Sequence, residues 1–239
     1  MKAIVLAAGK SERLIQTIGR NKLETKIKGV NLICYPISSL SLAGVGEIYI
    51  ATRKQQADEI ATISRSCPYA PHIEIIETWR WWAGNGYTLV DALEVLGPGE
   101  YIVSVGDHIY PPMIPKRLLR ECRDPFCIAG DSRPIYVDPG EATLILADSE
   151  KYVIRIGKKL LEYNFVDTGV HYIRHVLPLG DCLKIPFSFN DWKDCIAKKR
   201  IFKVIDVTGI PWVDVDTPQD LHYLLNTDVL REISHYLDP

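Results

Sequence analysis

Three aspartates occupy positions that suit a metal ion. Asp107 follows the apolar run 101–105 after one glycine, where a buried strand would end. Asp214 and Asp216 alternate along a second extended run, so their side chains project from the same face. Like-charged carboxylates on one face are costly unless a cation stabilises them. Carboxylate oxygens of this kind are ligands for Mg²⁺, which takes one or two of them together with substrate phosphates.

Each of these aspartates also has an ordinary explanation. Asp107 could cap the turn that follows it, and Asp216 or Asp220 could cap the helix that Thr217 and Pro218 begin. Taken together, the set Asp107, Asp214 and Asp216 favours a metal site.

The small residues after the first apolar run could bind phosphate. Leu6, Ala7, Ala8 and Gly9 allow backbone N–H groups to approach a phosphate closely, and Arg13 could add a bidentate charge. The pattern differs from the phosphate loop G-x-x-x-x-G-K-[ST] and from the dinucleotide motif G-x-G-x-x-G. A plain strand-to-helix turn is the alternative. Lys22 follows in a polar loop that could fold back over the same site.

Three further polar segments could contact the two halves of a substrate. Gly84, Asn85, Gly86 and Thr88 form a tight turn that could lie against a flat base, or simply an entry to a helix. Carboxylates that flank later β-rich runs could accept hydrogen bonds from a polyol, or could sit on surface turns. These carboxylates are Glu141 and Asp167.

The elements that must position these residues alternate between β and α in the first half of the chain. Apolar β-rich runs and helical stretches follow one another up to about residue 120, which predicts right-handed crossovers and a doubly wound, Rossmann-like α/β fold with a mostly parallel sheet. Short β-rich runs after residue 120 predict a small β-hairpin insert beside that sheet. We expect one domain over 1–239, with a nucleotide-binding half at 1–120 and an acceptor-binding half with C-terminal helices at 121–239.

Composition excludes several classes of protein. The 239 residues include 28 basic and 30 acidic side chains, a balance that gives no reason to expect a nucleic-acid partner. No apolar run approaches the ~20 residues that span a bilayer, so we expect a cytoplasmic protein that is not membrane-embedded. Six cysteines lack metal-ligand spacing and are interpreted as buried or half-buried thiols, with a disulfide as the alternative. Tryptophans 79, 81 and 82 around Arg80 predict a hydrophobic hairpin or a homodimer contact.

Taken in order, these motifs resemble the sugar-phosphate nucleotidyltransferase superfamily and, within it, the CTP:inositol-1-phosphate cytidylyltransferases. Members open with L-A-A-G-x-G-x-R-[LM] and a P-K lysine. The matching segments here are 6–14, Gly84 to Leu89, Gly106 to Tyr110, Asp138 to Thr143, Ile156 to Lys158, Val166 to Gly169 and Trp212 to Thr217.

The resemblance implies a Mg²⁺-dependent enzyme that transfers CMP from CTP to a small phosphorylated polyol, inositol-1-phosphate. The loop at Gly9 and Arg13 would hold the triphosphate, and residues 84–88 would meet the base. Asp107 with Asp214 or Asp216 would hold Mg²⁺, and Lys22 would stabilise the growing negative charge. The residues that would face the alcohol are Glu141, Lys158 and Asp167.

This sequence departs from the family pattern in its first loops. Ser11 replaces the second loop glycine, Glu12 follows it, and Asn21 replaces the proline before Lys22. Lys26 is the other candidate for the role of Lys22. The alternatives that remain are a different acceptor, such as a sugar-1-phosphate or phosphocholine, a different nucleoside triphosphate, or a non-catalytic nucleotide-binding protein of the same fold.

Overall fold

The computed structural model describes residues 1–9, 21–174 and 186–235, which form an α/β fold around one nine-stranded sheet. The strands are β1 (Lys2–Leu6), β2 (Lys26–Ile27), β3 (Val30–Asn31), β4 (Glu47–Arg53), β5 (His72–Thr78), β6 (Tyr101–Val105), β7 (His108–Ile109), β8 (Phe126–Asp131), β9 (Leu144–Ala147), β10 (Val153–Gly157), β11 (Phe165–Ile173), β12 (Phe202–Asp206) and β13 (Val213–Asp214). The helices are α1 (Cys34–Leu42), α2 (Ala57–Arg65), α3 (Gly86–Leu96), α4 (Met113–Glu121), α5 (Phe189–Ala197), α6 (Pro218–Asn226) and α7 (Val229–His235).

The predicted parallel sheet is present in the first half of the chain. Strands β5, β4, β1 and β6 lie side by side and are parallel, and β11 then pairs with β6 in the antiparallel sense. Helices cover both faces, as the apolar runs require: Ala3 and Val5 of β1 face one core with α1, α2 and α4, while Ile4 faces the other with α3 and α5. The α/β prediction is therefore confirmed.

The hairpin predicted as an insert beside the sheet belongs to the sheet itself. Strand β9 pairs with the start of β11, and β10 pairs with β9, so the hairpin forms one edge of the nine strands. Strand β8 pairs with the other edge of β11 from Val166 to Ile173, and β12 pairs with β8. The physical reason is the length of β11, whose nine buried residues pair along one edge first with β9 and then with β6.

The interpretation of the cysteines as thiols was wrong. Cys34 is bonded to Cys67, Cys122 is bonded to Cys127, and Cys195 is also disulfide-bonded. None of these pairs has a spacing that identifies it in the sequence, because pairing depends on which elements the fold brings together. Both fully described disulfides lie in the core on the α1, α2 and α4 side of the sheet.

Candidate active site

The first part of the site lies where two parallel strands end together. Leu6 of β1 is in register with Val105 of β6, and the Gly106 N–H donates to the Leu6 carbonyl at 3.0 Å. Asp107 therefore lies beside the small-residue loop that begins at Ala7. Ligands of open α/β sheets bind beyond these carboxyl ends, so the sheet places the predicted phosphate loop and the predicted metal ligand at one edge.

A short antiparallel ladder brings the distant aspartates to the same place. Asp214 of β13 is opposite His108 of β7, and the Val215 N–H donates to the Asp107 carbonyl at 3.2 Å. The helix α6 then begins with a capping box in which Thr217 and Asp220 exchange hydrogen bonds. Because Asp220 performs the capping, Asp216 remains available for the site.

Lys22 lies between carboxylates from both parts of the chain. Its Nζ hydrogen-bonds to Asp107 Oδ2 and lies 2.5 Å from Asp216 Oδ1. Burial alone would lower the pKa of Lys22, but the charges of Asp107, Asp216 and Asp214 outweigh it and raise that pKa above its ordinary value. Lys26, the other candidate, is exposed on β2.

Asn21 explains how Lys22 is aligned without the family's proline. Its backbone φ is −60°, which is within the range that a proline ring would impose. Its side-chain oxygen accepts a hydrogen bond from the Leu23 N–H at 3.1 Å and caps the single 3₁₀ turn Lys22–Glu24. A side-chain cap thus stabilises the turn that carries the lysine.

His108 is a second cation within the cluster. Its Nδ1 lies 2.8 Å from the Thr168 carbonyl, and its Nε2 lies 3.3 Å from Asp214 Oδ1 and 3.9 Å from Asp107 Oδ1. Burial would lower the pKa of His108, but Asp214 and Asp107 raise it to about 10. The imidazole is therefore charged at neutral pH and stacks on Trp212, with 5.7 Å between ring centres.

The donor set fits a divalent cation. Three carboxylates face two protein cations, so one negative charge remains uncompensated. Burial would raise the pKa of Asp107, but Lys22 and His108 lower it, so it stays ionised. A carboxylate oxygen of Asp107 lies within 4.8 Å of one of Asp214, so both can reach one cation. Asp214 Oδ1 accepts no hydrogen bond among the described residues, and its 3.3 Å contact with His108 Nε2 is an ion pair. Burial raises the pKa of Asp214, as expected for a carboxylate that lacks a full counter-charge.

Two cavities meet at Asp107. One, of about 120 Å³, is lined by the small-residue loop and Lys22; the other, of about 200 Å³, is lined by residues from the second half of the chain. Asn85, Val105, Asp107 and Phe189 line both. The predicted residues in the first cavity are Leu6, Ala7, Ala8, Gly9, Lys22, Asn85, Thr88 and Asp107, and those in the second are Asn85, Asp107, Glu141, Lys158, Asp167, Asp214 and Asp216.

Two glycines of the predicted base-binding turn pack closely against Phe187. A Cβ on Gly84 would lie 2.0 Å from the Phe187 carbonyl oxygen, and one on Gly86 would lie 2.4 Å from the Phe187 ring. In the same turn, Asn85 Oδ1 accepts a hydrogen bond from the Phe189 N–H at 2.9 Å. These contacts tie the start of α3 to the start of α5, and base binding by Gly84 and Gly86 stays a prediction. Arg13 lies outside the described residues.

The acceptor-side residues differ in their surroundings. Glu141 and Lys158 are exposed, whereas Asp167 is buried and its Oδ2 lies 2.5 Å from Lys193 Nζ. Lys193 was not among the predicted site residues, because a lysine within an amphipathic helix has the appearance of a surface residue. The capping box of Ser188 and Asp191 marks the start of α5 in the sequence. Counting from that start places Lys193 one turn after Phe189, on the buried face of the helix.

No residue of the tryptophan segment, all of which the structure describes, lines either cavity. Arg80 pairs with the buried Asp91 and lies over Tyr87, while the side chains of Trp79 and Trp82 are exposed. A homodimer contact at this surface stays a prediction. Within the described ranges, no helix has both the length and the apolar character needed to cross a bilayer.

The chain matches a known family and several named relatives. Residues 3–154 match the family described as MobA-like NTP transferase domain. Two relatives are named bifunctional IPC transferase and DIPP synthase: the protein from Rubrobacter xylanophilus is 34% identical over 92% of this chain, and that from Archaeoglobus fulgidus is 31% identical over 92%. The chain spans 50% and 42% of the lengths of these two proteins.

Solved structures share the fold. An inositol-1-phosphate CTP transferase from T. maritima superposes with a TM-score of 0.87 at 24% identity, over 99% of this chain and 96% of that one. A nucleoside-diphosphate-sugar pyrophosphorylase from Vibrio cholerae superposes with a TM-score of 0.71 at 12% identity, over 95% of this chain and 100% of that one. At these identities the likeness establishes the nucleotidyltransferase fold.

Proposed function

The chain belongs to the family of MobA-like NTP transferase domains, and we propose that it transfers CMP from CTP to inositol-1-phosphate, with release of pyrophosphate. The observation that carries the proposal is the position of Asp107, which lines two adjoining cavities and faces Asp214, Asp216 and Lys22. A transfer between two substrates needs two adjoining binding spaces with the charge-stabilising groups between them. The names of the relatives and of the T. maritima structure support cytidine and inositol phosphate as the substrates.

The nucleotide would bind in the cavity at the end of β1. This cavity is lined by Ala7, Ala8, Gly9, Lys22 and Thr88. Small residues keep this approach open for the triphosphate, and Asn85 would contribute an amide toward the base. Arg13 would add positive charge to the same triphosphate.

The acceptor would bind in the second cavity with its phosphate toward Asp107. An oxygen of this phosphate forms a bond to the α-phosphorus of CTP. The bond from that phosphorus to the oxygen that bridges to the β-phosphate breaks, and pyrophosphate leaves with the electron pair. A phosphate monoester is already largely ionised near neutral pH, so the step needs no general base.

Charge stabilisation supplies most of the catalysis in this scheme. Mg²⁺, held by Asp107 with Asp214 or Asp216, would supply positive charge at the α-phosphate. Lys22 lies within the same cluster and would stabilise the negative charge that grows on the transferring group. His108 holds Asp214 in place through its Nε2 and is itself fixed by the Thr168 carbonyl. The two cavities orient the reacting groups.

A substrate panel tests the proposal. The purified protein is incubated with Mg²⁺, one nucleoside triphosphate and one phosphorylated acceptor, and pyrophosphate release is measured for each combination. We expect the highest kcat/KM for CTP with inositol-1-phosphate, and CDP-inositol as the product. Activity with UTP and glucose-1-phosphate, together with none for CTP, would remove the cytidylyl assignment.

A further inference from the structure

A buried lysine forms part of the wall of the acceptor cavity. The side chain of Lys193, on α5, is 3% exposed, and its Nζ lies 2.5 Å from Asp167 Oδ2. The same Nζ lies 4.6 Å from the ring centre of Phe189, which also lines the cavity. An ammonium makes up to three hydrogen bonds, and its one partner among the described residues is Asp167. Lys193 can therefore donate into the cavity.

Asp167 is fixed by its neighbours and keeps part of its bonding capacity. Its Oδ1 accepts a hydrogen bond from the Gly169 N–H at 2.7 Å and lies 3.4 Å from His171 Nε2. Burial would raise the pKa of Asp167, but Lys193 and His171 lower it, so the carboxylate is charged. A carboxylate offers about four lone-pair sites, so Asp167 can still accept a hydrogen bond from a ligand.

The Lys193–Asp167 pair is electrically neutral, unlike Lys158, another cation of the cavity. Lys158 is exposed, with no carboxylate in an ion pair with it among the described residues, and it suits the anionic phosphate of an acceptor. A buried ammonium already neutralised by a carboxylate attracts an anion weakly. A donor next to an acceptor instead matches a hydroxyl group, which accepts one hydrogen bond and donates another.

We propose that Lys193 and Asp167 together bind one ring hydroxyl of the acceptor, Lys193 donating to its oxygen and Asp167 accepting its hydrogen. This inference rests on the proposed function, because it takes the second cavity to be the acceptor site. It makes the pair a specificity determinant: acceptors that place a hydroxyl here are favoured over phosphorylated alcohols that lack one, such as phosphocholine. An unmatched ligand would leave buried polar groups without partners, which is how hydrogen-bonding sites reject analogues.

Monodeoxy analogues of inositol-1-phosphate test the proposal. The wild-type enzyme should lose about 10- to 100-fold in kcat/KM for the analogue that lacks the bound hydroxyl, as expected for a hydrogen bond to a charged group. In Lys193→Met, kcat/KM for inositol-1-phosphate should fall by a similar factor. For that analogue, kcat/KM should fall little below its value in the wild type. The KM for CTP should not change. Lys198→Met, an exposed lysine just after the same helix, is the matched control and should keep the wild-type preference.

Lys193→Met leaves Asp167 buried without its counter-charge and therefore lowers the stability of the fold. A second variant that keeps the charge separates this effect from loss of the hydrogen bond. Lys193→Arg keeps the charge but moves the donors, and it should reduce the preference for the parent over the same analogue at least about fivefold. If folded Lys193 variants keep the wild-type preference for every analogue, the inference is overturned. If the wild-type enzyme forms no CDP-inositol at all, the proposed function fails instead, so the two failures are distinguishable.

Discussion

Lys22 Nζ lies 2.5 Å from Asp216 Oδ1, although 194 positions separate the two residues in the chain. The same ammonium bonds to Asp107, so it connects the end of the central sheet to the loop before α6. These are the carboxylates that would hold a divalent cation. Lys22 therefore compensates their charge and competes with a metal for their oxygens.

Replacing Lys22 should change the response of stability to Mg²⁺. In Lys22→Met the carboxylates lose their counter-charge, so the variant should be less stable than the wild type by about 1–3 kcal/mol without divalent cations. Millimolar Mg²⁺ should then raise its Tm by more than it raises that of the wild type, because binding to the folded state stabilises it. Thermal unfolding with and without MgCl₂ measures both effects.

The exposed Lys26 provides the control for this experiment. Lys26→Met lies on β2 and should leave the Mg²⁺-induced change in Tm as it is in the wild type. An equal change in Tm for Lys22→Met and the wild type would contradict the view that Lys22 occupies the metal-binding carboxylates.

Gly169 should be required for the position of His108. Its φ is +77°, and an added Cβ would lie 2.6 Å from His108 Nδ1. Gly169→Ala should therefore combine backbone strain of about 1–2 kcal/mol with displacement of His108, and kcat should fall at least about tenfold. Steady-state kinetics and urea unfolding measure the two losses.

Gly209 separates backbone strain from displacement. It has a φ of +88° and nothing within 4 Å of an added Cβ, so Gly209→Ala carries the strain alone and should keep its kcat. Similar kcat values for the two alanine variants would show that the contact with His108 has no catalytic consequence.

The ion pair of Asp167 predicts a pH dependence of stability. The pKa of Asp167 in the folded protein is below its ordinary value of 3.8, so its contribution to the free energy of unfolding is present above that pH and is lost as the pH falls. At pH 7 the wild type should exceed Asp167→Asn by about 3–5 kcal/mol, because the variant leaves Lys193 unpaired. Urea unfolding between pH 7 and pH 3 should show this difference decreasing below about pH 4.

The exposed Glu162 is the control for a general effect of one negative charge. Glu162→Gln should stay close to the wild type at every pH, since exposed charges contribute little. A difference between Asp167→Asn and the wild type that does not vary with pH would mean that the Asp167 carboxylate gains nothing from its neighbours.

Local pattern was enough to predict the sheet and the carboxylates at its edge. Continuous apolar runs such as Ile4 to Leu6 are typical of strands covered on both faces, and the aspartate after Val105-Gly106 follows from where such a strand ends. Asp214 and Asp216 are two positions apart in an extended run, which predicted that their side chains project from the same face. These predictions needed only the periodicity of strands and the geometry of a parallel sheet.

Features set by distant contacts could not be predicted in this way. The partner of Cys34 depends on how α1 meets the end of α2. The hairpin β9–β10 joins the sheet because one edge of β11 is long enough to pair with both β9 and β6. Lys193 has no local sign of burial, since its charge is compensated by Asp167, 26 positions away. Roles of this kind depend on tertiary pairing.

The most direct test is pyrophosphate release from CTP and inositol-1-phosphate by Asp107→Ala, with Asp58→Ala on the exposed first turn of α2 as the control. If carboxylates from two parts of the chain hold one divalent cation at the edge of the sheet, Asp107→Ala should lower kcat by about 100- to 1000-fold or more. The variant should remain folded, because Lys22 keeps its ion pair with Asp216. A wild-type rate in a folded Asp107→Ala variant would contradict the account.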